Sequence, residues 1–334
     1  MKYLILIFSL ISILSCKKEE QNLIEESKKE RFSETTFPEA KNIDEIQNTD
    51  FVSTFESKLN SNQNIIYSVT LPFAWNEIRT EINFPITNIN DNALKELNLT
   101  DSFQNTLNKN EYETTVVIEN LLIKATAYFR KSLPFSEPFH KYDEPLKFDN
   151  QNVENFGFSG DEPNAKINFY KDDSNFSISL LPAEKEHEII LMMTEDSTLN
   201  SFAQYFEFFK KEVENQKSEG YSWKSHFTYL DKVRIPMIEF NLKKKYNELI
   251  GNQFQAKNVM YEIVDVNQQN AFVLNEKGAE VESMATMDAA ASAEEIEPKN
   301  LIFNKPFVVF LKRKNSDFPY FAVYISNPEL LKKI

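Results

Sequence analysis

The stretch NEKGAEVESMATMDAAASAEE, Asn275 to Glu295, decides how the rest of the chain is read. Ala, Glu and Met are good helix formers, yet polarity here does not follow a helix. Every second residue from Ala279 gives Ala279, Val281, Ser283, Ala285, Met287, Ala289, Ala291 and Ala293, a small and mostly apolar face. The alternate residues, Glu280, Glu282, Met284, Thr286, Asp288, Ala290, Ser292 and Glu294, are mostly polar. That is the period of a strand. On a helix Glu280 and Glu282 would lie about 200° apart, so no single polar face forms. A strand of this length would be about three times the usual 5–6 residues, and these residues are poor strand formers. The pattern suits a segment that can become a strand without already being one.

The chain around it has 334 residues, 29 of them Phe, and the 13% aromatic content supplies one substantial core. Its net charge of −14 argues against nucleic acid as a partner, because phosphate binding needs clustered Lys and Arg. Cys16 is the single cysteine, so no disulfide forms within the chain. The catalytic inventory is thin. His140, His187 and His226 stand in no metal-ligand spacing, no G-x-S-x-G occurs, and five glycines leave no phosphate-cradling loop. Neither a turnover enzyme nor a cofactor or metal is expected.

Met1-Lys2 is a positive start, Tyr3 to Ile13 an apolar core, and Leu14-Ser15-Cys16 follows. The apolar run is too short for a bilayer span, which needs about 20 residues. The segment 1–15 resembles a bacterial lipoprotein signal peptide, which implies that Cys16 carries lipid and becomes the mature N-terminus. Acyl chains contribute about 0.8 kcal/mol per buried CH₂, enough together for stable anchoring. Lys17-Lys18-Glu19-Glu20 looks like the signal that sends bacterial lipoproteins to the outer face of the outer membrane. Residues 16–49 are charged and poor in aromatics and read as a flexible tether. The folded domain is expected from 50 to 334.

Within that domain, Asp50 reads as a helix N-cap before Phe51, Val52, Phe55 and Leu59. Asn64 to Ile82 begins as a strand and continues on a helical period. Thr114 to Phe129 suits a central strand. Strands are expected at 176–181, 188–193, 233–242, 263–274, 307–311 and 320–325, and helices at 199–212 and 243–250, the last ended by Gly251. The order is mixed, and the fold class is α+β with mostly antiparallel sheets.

From Asn275 onward the chain resembles a serpin. Asn275-Glu276-Lys277-Gly278-Ala279-Glu280 is similar to the E-x-G-T-E-A phrase that closes a serpin strand and opens the exposed reactive loop. Phe303-Asn304-Lys305-Pro306-Phe307 is similar to the phrase that leads back into two C-terminal strands. Phe321 to Pro328 matches F-x-G-x-V-x-N-P, with Val323 in the glycine position. Ile235 to Gly251, Thr126 to Phe135 and Asn64 to Trp75 are similar to upstream phrases of the family, in family order. Ser68 keeps the first serine of the family's shutter, where the main sheet opens. Leu71 replaces the second, Ala125 stands at the central-strand asparagine, and Leu133 falls near the breach tryptophan. The chain between Ser68 and Ala125 is much shorter than in the family, so some N-terminal helices are expected to be missing.

The resemblance implies a serpin-like fold with an exposed reactive loop at 278–297 and a suicide-substrate inhibitor of serine or cysteine endopeptidases. A target protease cuts the loop, and the N-terminal part inserts into the main sheet. It implies a hinge at Gly278, Ala279, Glu280, Val281, Ser283 and Ala285. Counting forward from Gly278 puts the scissile bond at Ser292-Ala293, and counting back from Pro306 puts it at Glu295-Ile296. Glu294 or Glu295 suits a protease with a basic specificity pocket, and Ser292 or Ala293 an elastase-like one. No arginine lies in the loop, which argues against a trypsin-like target. A strand inserted there would add on the order of ten to fifteen backbone hydrogen bonds at about 1 kcal/mol each, so the uncut state would be a kinetic trap. The expected protein is a monomer held on the membrane at Cys16 with the protease as its partner. The competing reading is a non-inhibitory serpin-fold lipoprotein that binds a partner at the cell surface.

Overall fold

Leu71, Ala74, Trp75, Ile78 and Ile82 recur at helical spacing, and they form the buried face of α1 (Thr70–Ile82). Asn83, left-handed at φ 53°, ends it by donating its N–H to the Arg79 carbonyl; asparagine tolerates that backbone better than most residues. α2 (Asn92–Leu99) is capped by Asp91, whose carboxylate accepts the Leu94 N–H at 2.9 Å. α3 (Phe202–Ser218) is capped by Ser201 and buries Phe202, Tyr205 and Phe206. The computed structural model describes residues 37–130, 133–220, 223–278 and 297–334.

Strands outnumber helices among the described residues and form three sheets. The main sheet holds β1 (Lys41–Asn42), β4 (Ile86–Thr87), β5 (Glu113–Glu119), β6 (Leu122–Arg130), β13 (Ile238–Lys245), β14 (Gln253–Ala256) and β15 (Val259–Leu274). The second sheet runs β2 (Thr49–Phe51), β3 (Asn64–Ser68), β18 (Phe321–Ile325), β17 (Phe307–Arg313), β11 (His187–Met193), β10 (Asn175–Leu180) and β9 (Ala165–Asp172). The third runs β16 (Asn300–Ile302), β12 (Lys232–Pro236), β8 (Gln151–Ser159) and β7 (His140–Phe148). Most pairings are antiparallel. β6 with β15 is the long parallel exception, and β1 with β13, β2 with β3 and β12 with β16 are short ones. The class is α+β with mixed, mostly antiparallel sheets.

Four local expectations are corrected. No helix follows Asp50. Its carboxylate does accept the Phe51 N–H at 2.7 Å, but residues 49–51 pair with β3, and Phe51, Phe55 and Leu59 are buried from strand and turn backbone. The run 114–129 is a hairpin and not one strand: Asn120 and Leu121 take φ of 50° and 69° and turn β5 into β6. The strand expected over 233–242 breaks at Met237, so that β12 and β13 serve different sheets. Residues 243–250 continue as strand to Lys245 and then turn, because Lys243, Lys244 and Lys245 pair with Gln269, Gln268 and Asn267. The ordered unit also begins before 50. Lys41 and Asn42 pair with β13, and the Gln47 and Asn48 N–H groups donate to the Glu329 carboxylate at 2.9 Å each. That part of the sequence expected as tether belongs to the domain, because its backbone hydrogen bonds are made there.

Candidate functional site: the parallel seam of the main sheet

β15 is bordered on one side by β13, antiparallel, and over Glu262–Ala271 by β6 on the other, parallel. β6 is bordered on its far side by β5, antiparallel. Parallel strands run the same way and need a long connection between them. Here the carboxyl ends of both strands lie at one end of the seam. A single strand running the opposite way between them would make every pairing from β5 to β13 antiparallel.

The two faces of the seam differ. The inner stripe pairs Ile123 with Ile263, Ala125 with Val266 and Ala127 with Gln268. Behind its lower end lie Leu71, Trp75 and Ile78 of α1, around a small apolar cavity that Leu97 and Leu249 also line. The outer face carries Lys124 and Thr126 on β6 and Asp265, Asn267 and Gln269 on β15, all half-buried or exposed. An intruding strand would meet packed small and apolar groups on one side and water on the other.

Ser68 sits at the inner edge of this seam. It is buried, and its hydroxyl shares a 3.1 Å hydrogen bond with Thr70, the first residue of α1. Gln268 on β15 completes the link: its amide nitrogen donates to the Thr70 hydroxyl at 2.9 Å and to the Ser68 carbonyl at 3.5 Å. The Tyr246 hydroxyl donates to the Gln268 carbonyl oxygen at 2.6 Å. Burial raises the Tyr246 phenol well above its ordinary value, so it stays a neutral donor. Sequence reading singled out Ser68 and missed Thr70, Tyr246 and Gln268. The only cue for Gln268 was a polar residue in phase with Val266 and Phe272 on a buried stripe.

At the upper end the chain leaves β15 through a tight turn. The Gly278 N–H donates to the Asn275 carbonyl at 3.1 Å, and the two residues form an antiparallel bridge across Glu276 and Lys277. On its other side Gly278 bridges Pro134, four residues beyond the last residue of β6. The Phe135 N–H donates to the Lys277 carbonyl at 3.1 Å and the Phe139 N–H to the Glu276 carbonyl at 2.7 Å. Gly278 thus lies between the continuation of β15 and the continuation of β6. Glycine is required there: φ is 75°, and a Cβ would stand 2.6 Å from the Phe135 nitrogen and 2.8 Å from the Leu133 carbonyl oxygen.

The returning chain is held as firmly. Lys299 and Asp231 are fully buried, with Nζ 2.8 Å from Oδ2. The Asp231 carboxylate also accepts the N–H groups of Lys299 and Thr228, and Lys299 Nζ donates to the Trp223 carbonyl. Burial pushes the Lys299 ammonium below the ordinary lysine range, against the pull of Asp231. β16 follows at once, parallel to β12. The lysine was not singled out in the sequence, because nothing local marks it as buried.

Of the expected site residues, Gly278 and Ser68 are placed as above. Cys16, Ala279, Glu280, Val281, Ser283, Ala285, Ser292, Ala293, Glu294, Glu295 and Ile296 lie outside the described residues. His187 is a buried structural histidine 3.1 Å from the Tyr320 hydroxyl and 3.5 Å from both the Glu111 and Glu184 carboxylates. Among the described residues no three His, Cys, Asp or Glu side chains converge as metal ligands, and no helix is long and apolar enough to cross a membrane.

Neither family models nor curated protein sequences give a match. Among solved structures, the chain is similar to Serpin48 of the insect Tenebrio molitor, at 14% identity over 63% of this chain and 57% of that one, with a TM-score of 0.37. It is similar to serine protease inhibitor (serpin)-12 of Manduca sexta, at 14% identity over 64% and 57%, TM-score 0.40. It is also similar to maspin, at 15% identity over 76% and 66%, TM-score 0.39. The chain spans 57% of the length of the first two.

Proposed function

We propose that this protein inhibits serine or cysteine endopeptidases as a suicide substrate, by inserting its cut loop into the seam between β6 and β15. The observation that carries the reading is the double bridge of Gly278, to Asn275 on one side and Pro134 on the other. On this reading Gly278 opens the strand that enters between β15 and β6. Continued residue by residue, the Asn275–Gly278 register sets 279 opposite Leu274 and 281 opposite Phe272, both buried on the inner stripe. The small, apolar alternate residues of the loop, Ala279, Val281, Ser283 and Ala285, therefore arrive on the packed side, and Glu280 and Glu282 on the wet one. The period-two pattern in the sequence and the bridge register agree without sharing an assumption.

The loop between Gly278 and Glu297 is the bait, with the cut at Ser292-Ala293, Glu294 or Glu295-Ile296. The lipid at Cys16 holds the protein on the outer surface of a bacterial outer membrane, where it meets its protease. The chain turns over no substrate and uses no cofactor.

The test is limited digestion of the full chain in detergent with a glutamate-specific protease. The loop cut is identified by the mass of the C-terminal fragment, and melting is compared before and after. A rise of tens of degrees is expected, and Ala285→Arg, which puts a charge on the packed stripe, should abolish it. An unchanged melt for the unaltered chain would sink the inhibitor reading and leave a surface binding protein.

A further inference from the structure

β5 lies at an edge of the main sheet: among the described residues β6 is its only strand partner. The two-residue turn at Asn120–Leu121, both left-handed, makes Glu119 and Leu122 the first hydrogen-bonded pair of the hairpin. Bonding then alternates along the strand. Glu113, Thr115, Val117 and Glu119 turn their backbone groups to β6, and Thr114, Val116 and Ile118 aim theirs outward. No other backbone group among the described residues bonds to those outward N–H and C=O groups.

Open edges are usually blunted by a central charge, a proline or a bulge. β5 has none of these. Its register with β6 is unbroken, and its centre, Thr114 to Ile118, reads TTVVI, all β-branched. The strand is also held ready to pair: Val116 and Ile118 pack against the core, and Tyr112, just before it, stacks on Phe73 of α1 at 4.1 Å. The charges stand at the ends instead, where Glu113 and Glu119 are exposed. Val117, Leu121 and Leu122 expose apolar side chains near the hairpin turn. Two copies of the chain pairing antiparallel about Val116 would set Glu113 against Glu119 at both ends. Like charges so opposed are destabilising, and each chain has a net charge of −14. Lysine or arginine at the same two places would be attracted.

We propose that β5 is a docking edge for an extended, basic polypeptide segment, which adds as an antiparallel strand with lysine or arginine opposite Glu113 and Glu119 and β-branched residues between. The outward backbone groups of Thr114, Val116 and Ile118 give the affinity, and the two carboxylates and Val117 choose the sequence. Residues an even number apart point to one face of a strand, so both basic side chains meet their carboxylates together. The proposal is independent of the insertion reading. The seam lies on the other side of β6, and β5 keeps its free edge whether or not a strand enters there.

The test is a fluorescence-anisotropy titration of the full chain in detergent, with detergent alone as the blank. The probe is a labelled, capped heptapeptide, lysine-valine-threonine-valine-threonine-valine-lysine. Saturable one-to-one binding is expected. Methylating the valine amide nitrogens, which face β5 in that register, should abolish it. Val116→Pro removes an outward N–H and spares the ladder to β6, and should weaken binding by at least about tenfold. Glu113→Lys with Glu119→Lys leaves the backbone edge intact. It should weaken binding by about tenfold at low salt, and a peptide with glutamates in place of its lysines should regain it. The charge swap does not depend on how Val116→Pro folds. No saturation by about 1 mM peptide, or equal binding of the methylated peptide, would overturn the proposal. A dimer in sedimentation that Val116→Pro abolishes would assign the edge to a second copy and overturn it as well.

Discussion

The second sheet and the seam of the main sheet solve opposite problems. β11, β17 and β18 pair antiparallel, and seventeen of their residues are buried: all seven of β11, the first five of β17 and all five of β18. Phe55 sits with ring centroids 5.3–6.2 Å from Tyr67, Phe202, Phe206 and Phe310. Nothing could enter that packing without emptying it. The β6–β15 seam is parallel, its inner stripe includes Ala125 and Ala127, its outer face is polar, and it contains an amide with no partner. The difference teaches where the fold is closed by its packing and where it keeps room for a further strand. The core of the second sheet is aromatic and closed. The seam has small side chains, a polar outer face and a parallel pairing that an intervening strand would turn antiparallel.

That contrast can be broken by substitution. Phe310→Ala removes a fully buried ring from the second sheet and should cost about 3–5 kcal/mol, by chemical denaturation of uncut and cut protein alike. A smaller loss in the cut form would mean that the second sheet takes part in the change. Asp231→Ala strands the Lys299 ammonium in a fully buried site. It should cost about 3–5 kcal/mol, and adding Lys299→Met should recover most of it. If the single change is silent, the far base of the loop is not held by charge. Gly278→Ala should cost the uncut protein about 1–3 kcal/mol, from the left-handed backbone and the crowded Phe135 nitrogen. Its melting temperature measures how tightly the departing chain is seated between Asn275 and Pro134.

The places where sequence reading stopped short share a cause. The helical period at Leu71, Ala74, Trp75 and Ile78 and the apolar runs at 307–311 and 320–325 were legible because packing and local pattern agree there. The hairpin at Asn120–Leu121 was not, since Asn120 is a single turn former followed by leucine, with no glycine beside it, and apolar residues continue on both sides of it. Phe51, Val52, Phe55 and Leu59 carry a helical spacing and fold as strand and turn. β2 finds a strand partner in β3, and Phe55 packs on Phe202, Phe206 and Phe310, far along the chain, partners that a local pattern does not reveal. The lysines at 243–245 favoured a helix until Asn267, Gln268 and Gln269 supplied a ladder. The same holds for the site. Gly278 and Ser68 stood out in a recognisable phrase. Thr70, Gln268, Asn270 and Lys299 matter because of what distant residues bring or fail to bring to them.

The sequence by itself determined the class of the fold, the placing of most strands, the thin catalytic inventory and a loop whose alternation can serve as a strand. Those follow from side-chain period and composition, which any short window contains. Only the tertiary structure decided that β6 and β15 run parallel, that Gly278 lies between their continuations, and that Asn270 is buried with nothing to bond. The first two depend on backbone groups more than a hundred residues apart meeting at hydrogen-bond distance, and the third on no such partner arriving; no local pattern encodes either outcome.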